Sequence, residues 1–199
     1  MSKGRLEAFS DGVIAIIITI MVLELKPPEH AGELSALRAT LTPFLGYVLS
    51  FVFIGIYWNN HHHMLHAARH VDGRILWANL HLLFWLSLVP FVTAWMGRAC
   101  YESTPVALYG VVMLLAGCAY YLLARSLVKH HGAESQLAKA LGTDMKGRAS
   151  LAVYAAAIPL AFVSSWIALA LYVAVAAWWL VPDRRFESTA AHAHEEQRS

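Results

Sequence analysis

The chain has 199 residues, of which 58% are hydrophobic and 14% charged, and its mean hydropathy is +0.52. Soluble domains average about 45–50% apolar and about 25% charged residues, so this composition excludes an ordinary soluble domain and predicts an integral membrane protein. The formal net charge is only +2, and no basic run with interleaved aromatic residues occurs, which argues against a nucleic-acid partner.

Six apolar segments predict an all-α protein with six transmembrane helices. They span residues 5–25, 44–66, 75–97, 106–124, 149–163 and 166–181. At 1.5 Å per residue the first segment is about 31 Å long, which is enough to cross the apolar part of a bilayer. Only Ser164 and Ser165 separate the last two segments, which predicts a tight helical hairpin. We therefore treat residues 1–183 as one membrane domain and residues 184–199 as a polar cytoplasmic tail.

The basic residues predict how the chain is oriented. Of its 15 lysines and arginines, the predicted topology places only Lys26, Arg38 and Arg98 on one side of the membrane. The others fall on the opposite side: Lys3, Arg5, Arg69, Arg74, Arg125, Lys129, Lys139, Lys146, Arg148, Arg184, Arg185 and Arg198. By the positive-inside rule, both termini are expected in the cytoplasm, as an even number of spans requires.

The first segment begins with polar residues. Arg5, Ser10 and Asp11 precede the isoleucine-rich stretch 12–23. Ionisable side chains within a membrane helix are costly, so they mark candidate functional sites. Buried polar groups must also find hydrogen-bond partners.

Partners are expected where the second segment ends and the third begins, at the same predicted depth. The candidates are asparagines and histidines of these two segments: Asn60, His62, His63, Asn79 and His81. We expect Ser10 and Asp11 to bond some of them. Two interpretations stay open. The network either fixes the first helix against its neighbours, or forms a proton-sensitive or ion-handling site that uses Asp11 and His61–His63.

The histidine run also invites a metal interpretation, because His62, His66 and His70 are spaced four apart and share a helix face. No acidic residue lies within this run, and the other histidine pair of the membrane domain, His130 and His131, falls in a loop. We therefore predict no metal site. The sequence carries no P-loop, G-x-S-x-G or H-E-x-x-H motif, and we predict neither a cofactor nor an enzymatic activity.

One face of the first helix carries a regular apolar pattern. At 100° per residue a single stripe collects Arg5, Phe9, Gly12, Ile16, Thr19, Ile20 and Leu23. Ordinary helix packing explains such a seam. Alternatively, copies of this helix line a shared axis, where a ring of isoleucines forms a hydrophobic constriction and Thr19 adds hydroxyl groups. Gly12 and Ala15 are small enough for close helix approach.

The start of the chain resembles a known family. Arg5, Phe9, Ser10 and Asp11 form R-x-x-x-F-S-D, followed by G-V-I-A-I-I-I-T-I-M-V-L-E-L. This is similar to the first helix of the transmembrane protein 175 family, whose animal members are lysosomal potassium channels. The family is also similar to this chain in the third segment, in A-I-P-L at 157–160 and in V-P-D-R-R at 181–185. The resemblance therefore covers nearly the whole chain.

The resemblance implies an α-helical channel without a pore loop, in which the first helix of each repeat lines the pore. One six-helix repeat per chain implies a homotetramer. The family's constriction falls five residues after the motif aspartate, at Ile16, and the lining continues along the stripe through Gly12, Thr19, Ile20 and Leu23. Arg5, Phe9, Ser10 and Asp11 are then structural, together with the asparagines and histidines of the second and third helices.

The sequence therefore predicts a potassium-permeable cation leak channel, embedded in the cytoplasmic membrane as a homotetramer, with potassium as the permeant ion. The alternative is a proton-coupled membrane transporter that uses Asp11 and the His61–His63 cluster.

Overall fold

The computed structural model describes residues 2–26, 34–68, 70–132, 135, 138 and 144–181, with the backbone alone for 34–39. The predicted tail, residues 184–199, lies outside these ranges. The described residues form seven helices: α1 (Lys3–Leu23), α2 (Leu34–Ala67), α3 (Gly73–Ser87), α4 (Val89–Arg98), α5 (Ser103–His131), α6 (Met145–Val163) and α7 (Ser165–Leu180).

The third apolar segment is divided into two helices, whereas the sequence predicted one over 75–97. The break is at Leu88, whose amide donates to the carbonyl of Trp85 (3.2 Å) in a tight turn. Pro90 follows at the start of α4. Proline lacks an amide hydrogen, and its ring clashes with the carbonyl four residues earlier, so an unbroken helix is disfavoured here.

Five helical segments are long and apolar enough to cross a membrane, with α3 and α4 together counted as one. They are Lys3–Leu23, Thr40–Ala67, Gly73–Arg98, Ser103–His131 and Met145–Val163. Helix α7 is apolar but has 16 residues, fewer than the about 20 that a perpendicular span needs. A sixth full span therefore stays a prediction.

The core lies where α5 packs against α3, α6 and α7. Tyr109 and Tyr172 are fully buried there, with ring centroids 5.5 Å apart. Buried alanines at 157, 161, 168 and 176 let α6 and α7 approach closely. The two helices are antiparallel, since the Trp179 indole near the end of α7 donates to Ser150 Oγ near the start of α6 (2.9 Å).

Both ends of the described chain lie at the same end of the bundle. Lys3 at the start of α1 donates to the carbonyl of His66 near the end of α2 (2.9 Å). His131 at the end of α5 accepts from the amide of His70 (3.2 Å), and Lys146 at the start of α6 donates to the carbonyl of Val181 (3.1 Å). We call this the basic end, because most of the described lysines and arginines lie there.

Candidate functional site

Helix α1 has one buried face and one exposed face. The buried face packs against α2, α3 and α4 through residues three or four apart: Leu6, Ser10, Ile14, Ile17 and Met21. The stripe predicted from the sequence is the opposite face, and all seven of its residues are exposed. Ile16 exposes 57% of its surface and Leu23 78%. Within the described part of the chain, no other helix covers the stripe.

A groove of about 880 Å³ runs beside the stripe, between α1 and the α3–α4 segment. Its walls are mostly apolar, with Ile16 and Ile20 on one side and Phe91 and Trp95 on the other. At one end of the groove the Arg98 guanidinium forms an ion pair with the Glu24 carboxylate. This pair joins the end of α4 to the residue that follows α1.

A buried polar network links the buried face of α1 to α3 and α2. Ser10 Oγ donates to the carbonyl of Leu6 in its own helix (2.9 Å) and accepts from Asn79 Nδ2 of α3 (2.9 Å). Asn79 Oδ1 in turn lies 2.7 Å from His61 Nε2 of α2. All three side chains are buried. Because the amide oxygen of Asn79 only accepts, His61 Nε2 carries the proton and donates.

Asp11 does not join this network, contrary to the expected arrangement. Its Oδ1 accepts from the indole Nε1 of Trp58 on α2 (3.0 Å). Ser10 and Asp11 are neighbours on a helix and therefore point about 100° apart, so they meet different partners. Trp58 was not among the predicted partners, although its indole is a hydrogen-bond donor that ends an otherwise apolar stretch.

Several residues predicted to join the network contact other groups instead. Asn60 donates to the carbonyl of Ile56 in its own helix (2.8 Å), and His81 accepts from the Trp85 indole (2.9 Å). His62 is exposed and stacks between Trp58 and His66, while His63 and Arg5 are also exposed. Residues one or two positions from His61 or Asn79 are rotated by 100° or 200°, which turns them away from α1.

The sequence prediction omitted His61 from the structural network, although it is the buried histidine of the run. A signal for it exists in the sequence. His61 lies seven residues after the buried Ile54 and four before the buried Leu65, so it continues the core-facing row of α2.

No three histidine, cysteine, aspartate or glutamate side chains in the described residues come together in a metal-binding arrangement. The face shared by His62 and His66 consists of stacked rings, with centroids 6.1 Å apart.

The helices that carry the stripe and the network lie in a part of the chain that resembles known proteins. The family described as endosomal/lysosomal potassium channel TMEM175 matches residues 5–90, which include the stripe, His61 and Asn79. A potassium channel of Chryseobacterium sp. (strain P1-3) is 48% identical over 189 residues, which cover 95% of this chain and 98% of that protein. This chain belongs to the TMEM175 family.

A solved structure shares the fold of this TMEM175 family member. The crystal structure of a lysosomal potassium-selective channel TMEM175 homolog from Chamaesiphon minutus matches with a TM-score of 0.78 and 27% identity. The match covers 90% of this chain and 96% of that chain. The human endosomal/lysosomal proton channel TMEM175 is 36% identical over 96 residues, which cover 42% of this chain and 19% of that protein.

These comparisons confirm the predicted family and, together with the apolar helices, a multi-pass membrane protein with the helical TMEM175 channel fold. The family is one of ion channels. The sidedness of the termini, the lining of a pore by α1 and the constriction stay predictions.

Proposed function

We propose that this chain forms a potassium-permeable cation leak channel in the cytoplasmic membrane, as a homotetramer with one α1 from each subunit around the pore. Ile16 is the constriction, and Gly12, Thr19, Ile20 and Leu23 line the rest of the path. The observation that carries this proposal is the exposed stripe of α1, a regular row that the subunit's own helices leave uncovered.

Four Ile16 side chains around an axis suit a hydrophobic constriction. Ile16 lies between Gly12 and Thr19 on the stripe and is more than half exposed. An isoleucine side chain is stiff at its first torsion and offers no oxygen to replace the water around an ion. Passage through such a ring is limited by its radius and by dewetting.

Thr19 suits a position next to the constriction. Its hydroxyl hydrogen is donated to the carbonyl of Ile16 (2.9 Å), so the oxygen keeps lone pairs free on the exposed face of the helix. A ring of four such oxygens would offer partial ligands to a cation that has lost water. Behind the stripe, Ser10 with Asn79 and Asp11 with Trp58 fix the rotation of α1.

Reconstitution into liposomes tests this function. Efflux of potassium, compared with sodium and caesium, should be fast and driven by the ion gradient alone. The bacterial relatives named potassium channels favour this outcome. An absence of cation flux from correctly assembled protein would overturn the proposal.

A second candidate, proton passage, is favoured by the animal relatives, which are named endosomal/lysosomal proton channels. In this chain the route would involve Asp11 and the His61–His63 cluster. A pH-sensitive dye inside the same liposomes reports it. A proton-coupled transporter would show saturating rates that depend on the pH gradient, whereas a channel would not.

We expect four copies to assemble, because the stripe, which the subunit's own helices leave uncovered, would then surround a shared axis. The mass of the detergent-solubilised protein, measured by light scattering with detergent correction, should equal four chains. Ile16→Ser on the stripe should keep this mass. A monomeric mass under conditions that preserve cation flux would contradict the tetramer.

The Glu24–Arg98 ion pair should tune conduction at the end of the stripe opposite the basic end. In Arg98→Gln the Glu24 carboxylate loses its partner, so four uncompensated carboxylates would attract cations and raise single-channel conductance at low ionic strength. Glu24→Gln should lower it. Both effects should vanish in high salt, because the Debye length falls to about 3 Å at 1 M. Equal conductances at low salt would show that these residues lie far from the pore.

A further inference from the structure

A second cavity lies among α2, α5, α6 and α7. Its volume is about 50 Å³, enough for a few water-sized groups. Aromatic rings form much of the wall, including Tyr57, Tyr120, Tyr154 and Trp179. Asp144 and Ser150 add polar groups near the basic end. Neither the stripe nor the network behind it reaches this cavity.

Three tyrosine hydroxyls at this cavity differ from the other tyrosine hydroxyls of the core in their hydrogen bonding. The hydroxyls of Tyr109 and Tyr172 have hydrogen-bond partners, Ser50 Oγ (3.2 Å) and the carbonyl of Val106 (3.2 Å). Those of Tyr57, Tyr120 and Tyr154 make no hydrogen bond to any other residue that the structure describes.

The side chains that carry these three hydroxyls line the cavity. Every fully enclosed polar side-chain atom of the described residues has a partner, so hydroxyls without one must be accessible. Gly117 helps to keep the space open: a Cβ there would lie 3.5 Å from the Tyr57 hydroxyl and 2.7 Å from Leu151 Cδ2. Hydroxyl oxygens that face a cavity can accept hydrogen bonds from a ligand.

Among the lining residues that the structure describes, Asp144 is the one with a carboxylate or a basic group. Asp144 precedes α6, and one of its oxygens accepts from the amide of Gly147 (3.1 Å). Burial nevertheless raises the pKa of the Asp144 carboxyl, with Gly147 and Arg148 only partly offsetting it. Lys146 lies beside the cavity, over the ring of the wall residue Trp179 (5.9 Å), and donates to the carbonyl of Val181. An added cation would therefore stabilise the ionised carboxylate.

We infer that this cavity binds a small protonated amine of about the size of methylammonium. Its N–H groups would donate to the hydroxyls of Tyr57, Tyr120 and Tyr154, and its charge would pair with Asp144. The ring faces of the wall would add cation–π attraction. The several N–H donors of an ammonium group match this set of acceptors, so the site favours such ions over potassium. This binding is independent of the proposed pore.

Titration of the purified full-length protein in lipid nanodiscs with methylammonium chloride, followed by calorimetry in sodium buffer, tests this inference. We expect saturable binding with one site per chain. In Asp144→Asn the affinity should fall at least tenfold, while asparagine preserves the cap of α6. Tyr57→Phe, which removes only an oxygen, should lower affinity severalfold. Tyr47→Phe, on α2 but outside the cavity, is the matched control and should bind like the wild type.

Binding should also weaken on acidification, because protonation of Asp144 removes the charge that pairs with the amine. Thermal melting of each variant checks folding, and Tyr57→Phe keeps the test valid if Asp144→Asn does not fold. Three results would overturn the inference: no saturable binding to the wild type, unchanged affinity in both cavity variants, or displacement of methylammonium by an equal concentration of potassium.

Discussion

Replacing Ile16 by asparagine should raise the potassium current severalfold and reduce the discrimination among potassium, sodium and caesium. The exposed position of Ile16 at the centre of the stripe is the reason. Asparagine is similar in size, but its amide holds water, so a ring of four would stay wetted. Planar bilayer recording gives the conductance, and reversal potentials give the ion ratios.

Cysteine substitution provides the control for this result. Ile16→Cys should react with small charged thiol reagents and change the current, whereas Ile14→Cys on the buried face of α1 should not. The background must lack the free cysteines Cys100 and Cys118. If Ile16→Asn left conductance and ion ratios unchanged, α1 would not line the pore at this level.

Replacing Asn79 by leucine should destabilise the protein more than any change on the stripe. Leucine removes the donor to Ser10 Oγ, which keeps its bond to the carbonyl of Leu6, and leaves the buried N–H of His61 Nε2 without its acceptor. Each buried polar group left without a partner costs about 1–3 kcal/mol. We expect lower yield, a lower melting temperature and partial loss of the oligomer, measured by fluorescence-detected size exclusion with heating.

Asn60→Leu is the matched control, because among the described residues its side-chain amide bonds only to the carbonyl of Ile56, within α2. It should melt close to the wild type. A triple variant with Ser10→Ala, His61→Leu and Asn79→Leu should recover part of the loss, since replacing all the polar partners leaves none unpaired. If Asn79→Leu melted like the wild type but changed the pH response of the current, the network would serve proton sensing instead of structure.

Much of the fold followed from the sequence because hydrophobic burial repeats with the geometry of the helix. The spacing of Phe9, Gly12, Ile16 and Thr19 predicts one face of α1, and the structure leaves that face exposed. The break in the third segment was also encoded locally, by Pro90, although the apolar composition of the segment is continuous across it.

The partners of the polar residues were harder to predict. Ser10, Asp11, Asn60 and His62 all lie near the same depth, so depth alone permits many pairings. The choice depends on how each helix is rotated about its axis, and one residue changes that direction by about 100°. The rotation of α2 about its axis therefore places His61, and not His62, against Asn79.

The sequence by itself determined the membrane-protein class, the approximate positions of the helices and the stripe on α1, because these follow from composition and from a local period of 3.6 residues. The tertiary structure alone decided that Trp58 meets Asp11, that His61 meets Asn79, and that tyrosines from α2, α5 and α6 converge on one cavity. These contacts join residues far apart in the chain. They depend on the packing of whole helices, which no local sequence pattern specifies.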